Sequence, residues 1–312
     1  MMEENKMKRS NAVIGLLAQT SIHAGSGQNT GVIDLAIQRE GHNGWPCIFG
    51  SAVKGAVRTR AEDQGVDSIQ SVFGAESDGN DMQAGAVAFS DARILLFPVR
   101  SLTSQFKWVA CPAALKRYKN DALRMGLEIS LDIPAVETWT NELAIAHESE
   151  GSAGSVSLFL EEYCFKTEQK DLNQTIAALS VLMPPEDAEN LARQLVIVSD
   201  DMFSYLVQHA TPVNAHIGIE TETKTVKSGA LWYEETLPPE TLLYFTLSAD
   251  KARQRESTLQ AECMRANVIA LFTGEQGPWL QLGGNETVGM GWCAVKINPI
   301  NTGVDHANNA AE

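Results

Sequence analysis

Alternation of apolar and polar positions over Val13 to Thr20 predicts an opening strand, because side chains of an extended chain point alternately to the two faces of a sheet. A glycine-broken loop with His23, Gly25, Gly27 and Gly31 follows, and Val32 to Ile37 reads as a second extended piece. Ser51 has the chemistry of an N-cap for a helix through about Glu62, with Ala52, Val53, Ala56 and Val57 turned inward. A helical turn over Ser68 to Phe73 stops at Gly74, and Gly79-Asn80-Asp81 marks a loop. Gly85 to Arg100 is rich in β-formers and predicts a core strand or a bent pair. Pro112, with φ already fixed and no N–H to lose, starts a helix reaching Met125.

Leu127 to Glu150 lacks a clear period, which reads as an insertion with short strands; Val156 to Phe165 resumes a strand pattern. Acidic helices are expected over Asp171 to Met183 and Asp187 to Val198, parted by Pro184-Pro185, and over Asp201 to His209. Pro212 to Trp232 reads as a polar hairpin, Leu242 to Leu247 as a strand and Ser257 to Phe272 as a helix. Trp279 to Ile297 holds a second glycine-rich loop feeding a last strand. The tail 301–312 has no packing face and is expected to be disordered. Strands and helices interleave without continuous βα repetition. That pattern predicts an α+β, ferredoxin-like arrangement rather than a doubly wound sheet.

At 312 residues and 44% hydrophobic, the chain can bury one large core with insertions, and residues 1–300 are expected to form a single domain. Lys6, Lys8 and Arg9 before the apolar run Ala12 to Ala18 imitate a secretion signal, but the run is short and broken by Gly15, so a strand is the reading taken. No segment approaches the ~20 apolar residues of a membrane span. Five scattered cysteines without a C-x-x-C pair predict reduced, cytoplasmic thiols rather than disulfides or a zinc site. A net charge of −15 opposes nucleic-acid binding at face value. The charge is uneven, however: residues 1–120 carry 13 Lys+Arg against 11 Asp+Glu, and all of the excess acid lies beyond them. RNA responds to the potential of the groove that holds it, so a near-neutral half can still display a basic strip.

Two loops, Gly25 to Gly31 and Gly283 to Gly291, would let backbone approach a phosphate chain, or are plain turns; neither is a P-loop or a dinucleotide fingerprint. Lys54 and Arg58 share one helix face near its N-terminus, either as an anion site or as a solvated face. Asp34 stands between Ile33 and Leu35 as a candidate carboxylate or a solvated edge residue, with His23 in the adjoining loop for proton transfer. The threonine-rich ribbon His216 to Glu235 lacks an apolar face to bury, so it reads as a surface hairpin or a protruding finger. Glu234 and Glu235 at its end are most simply solvating charges. Asp91 and Arg93 suggest a strand-end ion pair. A G-x-S-x-G elbow and H-E-x-x-H spacing are both absent from the sequence.

The runs His23-Ala24-Gly25-Ser26-Gly27, Gly31-Val32-Ile33-Asp34, Gly50-Ser51-Ala52-Val53-Lys54-Gly55, Ala88-Phe89-Ser90-Asp91-Ala92-Arg93, Gly229-Ala230-Leu231-Trp232-Tyr233-Glu234-Glu235 and Gln281-Leu282-Gly283-Gly284-Asn285, in this order, resemble the backbone RAMP subunits of type III-B CRISPR effectors, the Cmr complex. The resemblance implies a ferredoxin-like (RRM-like) palm, a helical insertion at about 127–210 and a thumb hairpin at about 211–235. It implies a metal-dependent endoribonuclease, active in the assembled complex, that coats CRISPR RNA and cuts complementary target single-stranded RNA at regular intervals. Copies of the chain in a helical filament and other Cmr subunits would be its partners. Asp34, His23 and Glu235 would be catalytic, with Glu234 the alternative acid, and Asp34 would hold Mg²⁺ or Mn²⁺. RNA contacts would fall on Lys54, Arg58, Gly25, Gly27, Arg39, Thr223, Thr225, Val226, Gly283, Gly284 and Gly289. The alternatives are a non-cleaving RNA-binding scaffold and the related type III-A backbone subunit.

Overall fold

The computed structural model describes residues 9–28, 31–75, 83–134, 139–148, 157–254 and 257–298. The loop expected at 79–81 and the tail 301–312 lie outside them. In chain order the elements are β1 (Ser10–Ala18), β2 (Gly25–Gln28), β3 (Leu35–Ile37), β4 (Cys47–Ile48), α1 (Gly50–Asp63), α2 (Ile69–Phe73), β5 (Val87–Phe89), β6 (Ala92–Ser101), β7 (Gln105–Ala110) and α3 (Pro112–Arg124). There follow β8 (Leu143–His147), β9 (Ser157–Leu160), β10 (Tyr163–Lys170), α4 (Asn173–Ser180), α5 (Pro185–Gln194), β11 (Leu195–Val198) and α6 (Asp200–His209). The chain continues through β12 (Val213–Ile219), β13 (Val226–Glu235), β14 (Leu242–Ala249), α7 (Ala261–Ala270), β15 (Trp279–Gln281), a 3₁₀ turn (Glu286–Val288) and β16 (Trp292–Asn298).

Strand β1 organises the molecule. It pairs antiparallel with β14 on one side and β16 on the other. Ala12, Ile14, Leu16 and Ala18 enter one core with Val53 and Val57 of α1 and Met264 and Val268 of α7. Val13 and Leu17 enter the opposite core with Leu115 and Tyr118 of α3, Leu179 of α4 and Leu191 of α5. Helices therefore cover both faces, which is why the strand is apolar nearly throughout instead of alternating with polar residues. Each fully buried Leu or Ile contributes about 1.5–3 kcal/mol. The large sheet runs β15-β16-β1-β14-β6-β7-β11-β8-β10-β9, with β4 on β6 and β5 on β14, and a separate four-stranded sheet runs β12-β13-β3-β2.

Several expectations change. Phe49, not Ser51, holds the N-cap of α1, and the Gly50 N–H donates to Asp91 Oδ1 at 2.7 Å. A carboxylate brought in from the β5–β6 turn thus satisfies the first N–H of the helix in place of the local hydroxyl. Asp91 does not pair with Arg93. That guanidinium binds Asp121 at 2.9 Å and approaches Glu40 at 3.7 Å. Residues Gly25–Gln28 form a strand, not only a loop, because β3 gives them a partner. The helix expected to Val198 stops at Gln194, and the buried run Leu195-Val196-Ile197-Val198 becomes a central strand. The expected strand 156–165 is two strands turning at Glu161, whose φ is 49°. The segment 127–210 accordingly gives the large sheet β8, β9, β10 and β11 besides its helices.

The cysteines are free, and Cys47, Cys111 and Cys293 are buried. Burial, with Glu40 and Asp91 nearby, pushes the Cys47 thiol up to about 11. Burial also raises Cys111 and Cys293, so these three are packing groups and not nucleophiles.

Candidate active site

The base of the β12–β13 hairpin meets the loop between β1 and β3. The hairpin is exposed over most of its length but is not the polar ribbon expected, since Val213, Ile217, Ile219, Val226, Leu231 and Tyr233 are all exposed, while Glu234 and Glu235 at its foot are buried at 4% and 3% exposure. Beyond Glu235 the chain returns toward β1 through Leu237, which bridges to Ile22. On its other edge β13 touches β3, where Glu234 registers with Leu35. This junction brings residues 200 positions apart into one site.

Asp34 lies in a bend just before β3, not within a strand. Its Oδ2 accepts the Tyr233 N–H at 2.8 Å, so one carboxylate oxygen is fixed by backbone. The flanking residues Gly31, Val32, Ile33 and Ala36 line an open cleft of about 380 Å³ with Gln208 and His209. Val32 is 93% exposed, so this rim is not part of the core.

His23 is 9% exposed, and its Nδ1 lies 2.8 Å from the Glu235 carbonyl oxygen. A carbonyl only accepts, so Nδ1 carries hydrogen and Nε2 is the acceptor of the neutral ring. Nε2 faces Gly25, where a Cβ would come within 2.9 Å of it. The missing side chain leaves that nitrogen uncovered. Glu234 Oε1 lies 3.6 Å from Nδ1 and accepts a hydrogen bond from Asn285 Nδ2. Gly284 N–H donates to the His23 carbonyl at 2.9 Å, and Gly283, at φ 87°, packs so closely that a Cβ would overlap that carbonyl oxygen. Gly283→Ala is expected to cost at least about 1–3 kcal/mol from the left-handed backbone alone. A urea midpoint unchanged from the parent would contradict this packing.

Glu235, expected as a catalytic acid, is bound on both oxygens by protein donors. Its Oε1 accepts from Arg39 Nη2 at 2.5 Å and Thr211 Oγ1 at 2.7 Å, and its Oε2 from the Ile37 N–H at 3.1 Å. This buried carboxylate ties the foot of the hairpin to β3, Arg39 and Thr211, and it also lines the open cleft. Arg39 is likewise held by protein: besides Glu235 it bonds the Gly44 and Val207 carbonyls at 2.8 and 3.0 Å. Its side chain is 22% exposed and lines the open cleft beside Glu235. Arg58 binds Glu62 at 2.7 Å and the Gly74 carbonyl at 3.3 Å, so of the helix pair Lys54 alone lacks an ion-pair partner among the described residues.

Thr223, Thr225 and Val226 sit exposed at the hairpin tip, where the two threonine hydroxyls lie 2.7 Å apart. The structure brings His23, Gly25, Gly283 and Gly284 together beside the hairpin foot. Gly27 and Gly289 stand in open space. Sequence reasoning missed Gln38, whose side chain bonds the Gly25 carbonyl at 3.0 Å and the Phe49 N–H at 2.6 Å, and Asn285. The one available signal for Asn285 was its place after two glycines, since asparagine is among the few side chains that tolerate left-handed backbone.

Among the described residues there is no group of three or more His, Cys, Asp or Glu side chains able to hold a metal ion. Asp34 offers a single carboxylate, whereas Mg²⁺ demands octahedral oxygen coordination. Among the described residues, the donors do not by themselves complete a divalent site. No described helix is long and apolar enough to cross a membrane.

The chain is 35% identical over 304 residues to the CRISPR system Cmr endoribonuclease Cmr4 of Pyrococcus furiosus, covering 95% of this chain and 98% of that one. The crystal structure of oligomeric Cmr4 from Pyrococcus furiosus superposes with a TM-score of 0.70 at 29% identity, over 93% of this chain and 98% of the other. A chain in the cryo-EM structure of the type III-B Cmr-β complex bound to cognate target RNA shares the fold, with a TM-score of 0.68 at 21% identity over 92% and 96% of the two chains. The RAMP superfamily profile matches residues 16–294, more than half of the sequence, and the chain belongs to that superfamily.

Proposed function

We propose that this chain is the guide-coating, target-cleaving backbone subunit of a type III-B effector, with CRISPR RNA, target single-stranded RNA, further copies of itself and other Cmr subunits as partners. The observation that carries the reading is Asp34: a carboxylate held by one oxygen on the hairpin's backbone, next in sequence to Gly31, Val32, Ile33 and Ala36, which line an open cleft. The chain's 35% identity to a protein named an endoribonuclease supports the same reading. The succession β1-α1-β6-β14-α7-β16, laid out as β16-β1-β14-β6, is the βαββαβ order of a ferredoxin-like palm. The exposed β12–β13 ribbon is then its thumb.

In this reading the second oxygen of Asp34 takes the proton of a target ribose 2′-hydroxyl. The 2′-oxygen bonds to the adjacent phosphorus, and the bond from phosphorus to the 5′-oxygen breaks. The leaving oxygen collects a proton from Nε2 of protonated His23, whose charge Glu234 balances. The products are a 2′,3′-cyclic phosphate and a 5′-hydroxyl, and a DNA target, lacking the nucleophile, is not cut. Orientation of the hydroxyl against its own phosphate supplies much of the acceleration. No step is routed through a metal; an ion that took part would draw its other oxygens from RNA, and titrating cleavage with EDTA reads this directly.

Lys54, unpaired on α1, is the candidate phosphate contact. Lys54→Ala is expected to weaken RNA binding for all sequences alike and to reduce the slope of log affinity against log salt by about 1. Equal slopes for variant and parent would remove Lys54 from the RNA path.

A further inference from the structure

We infer that Asn285 is a positioning residue for cleavage, acting on His23 through Glu234; this rests on the reading of His23 as the proton donor. The second glycine loop grips that histidine twice. Gly284 N–H holds its backbone carbonyl at 2.9 Å, and one residue later the Asn285 amide holds the carboxylate that faces its ring. Both grips come from a single turn. Gly283 and Asn285 are left-handed, at φ 87° and 63°, and this backbone is what lets consecutive residues reach the main chain and the side-chain partner of the same histidine.

Glu234 needs such a grip. It is 4% exposed, and it meets His23 Nδ1 at 3.6 Å, too long for a hydrogen bond to orient the carboxylate. Nδ1 is instead committed to the Glu235 carbonyl at 2.8 Å. The Asn285 amide is therefore the hydrogen-bond donor recorded on Glu234, and it sets where the negative charge sits against the ring. Among the described residues, Glu234 is the charged side chain in contact with the ring: β2 presents Gly25, the glycine loop presents Gly283 and Gly284, and Glu235 presents only its backbone. Met290 Sδ backs the amide at 3.7 Å and can set its rotamer without competing for the carboxylate.

The simpler account is that asparagine occupies position 285 only because the backbone there is left-handed. Asn285→Gly separates the two, since glycine suits that backbone better than any other residue and removes only the amide. The experiment uses the full chain assembled with guide RNA, and measures single-turnover cleavage rate, target affinity, melting temperature and the pH–rate profile. For Asn285→Gly we expect a rate at least tenfold below the parent, with target affinity and melting temperature unchanged. The pH–rate profile should differ from the parent's, because the negative charge facing the ring is no longer held in place. Asn285→Asp, which places a second carboxylate against Glu234, should not restore the rate. Parent-like rate and profile in Asn285→Gly would overturn the inference and leave a turn residue. His23→Ala runs beside it: if that variant still cleaves at the parental rate, the role given to His23 fails, and the role of Asn285 with it. If His23→Ala is inactive while Asn285→Gly is parental, only the inference about Asn285 falls.

Discussion

Asp34→Asn is expected to lower target-RNA cleavage by about 10²–10⁴-fold, the usual range for a lost general base. The substitution is close to isosteric, and the amide oxygen can still accept the Tyr233 N–H that anchors the carboxylate. The bend before β3 and the foot of the hairpin should therefore stay in place. Only the basicity of the second oxygen disappears. Guide binding, assembly and melting temperature are expected to match the parent, so the variant separates a nuclease from a scaffold that merely binds RNA. Unchanged cleavage would end the assignment of Asp34, and loss of assembly would show that its bond to Tyr233 matters more than its chemistry.

The second large effect concerns stability. Glu235→Ala removes a buried carboxylate that accepts from Arg39, Thr211 and the Ile37 N–H, leaving a guanidinium only 22% exposed without its counter-charge. Breaking a buried pair from one side costs about 3–5 kcal/mol, mostly from the charge left behind. Chemical denaturation should show that loss. Guide binding and cleavage should decline together as the hairpin loosens from β3 and α6. Replacing both partners, in Glu235→Leu combined with Arg39→Met, should recover a substantial part of the stability, because no unpaired charge is then buried. A Glu235→Ala protein as stable as the parent but unable to cut would return Glu235 to the catalytic group.

These two acids show how far a sequence can be read. Asp34 was legible as a candidate from its place among apolar neighbours beside a glycine loop, a pattern that equally suits a solvated edge residue, and the family resemblance gave it a role. Glu235 was not, since nothing local distinguishes it from Glu234; the two carboxylates diverge only because alternate residues of β13 face different partners. One meets Arg39, Thr211 and β3, and its neighbour meets His23 and Asn285. The same holds for the cationic residues. Arg39 and Arg58 look like free cations along the chain, yet folding gives each of them carbonyl and acid partners. Ser51 is the converse case, a good local cap displaced by Asp91 from a distant turn.

Local chemistry by itself determined the opening strand, the Pro112 helix, the hairpin and the last strand, because periodicity, proline geometry and β-propensity act over a few residues and survive any tertiary arrangement. The tertiary structure alone decided that Leu195 to Val198 is a strand, that Gly25 to Gln28 finds a partner, and that the second glycine loop closes on His23. Each of those outcomes depends on a hydrogen-bonding partner far away in the chain. Backbone groups must be paired wherever they are buried, and which segment arrives to pair them is a property of the whole fold.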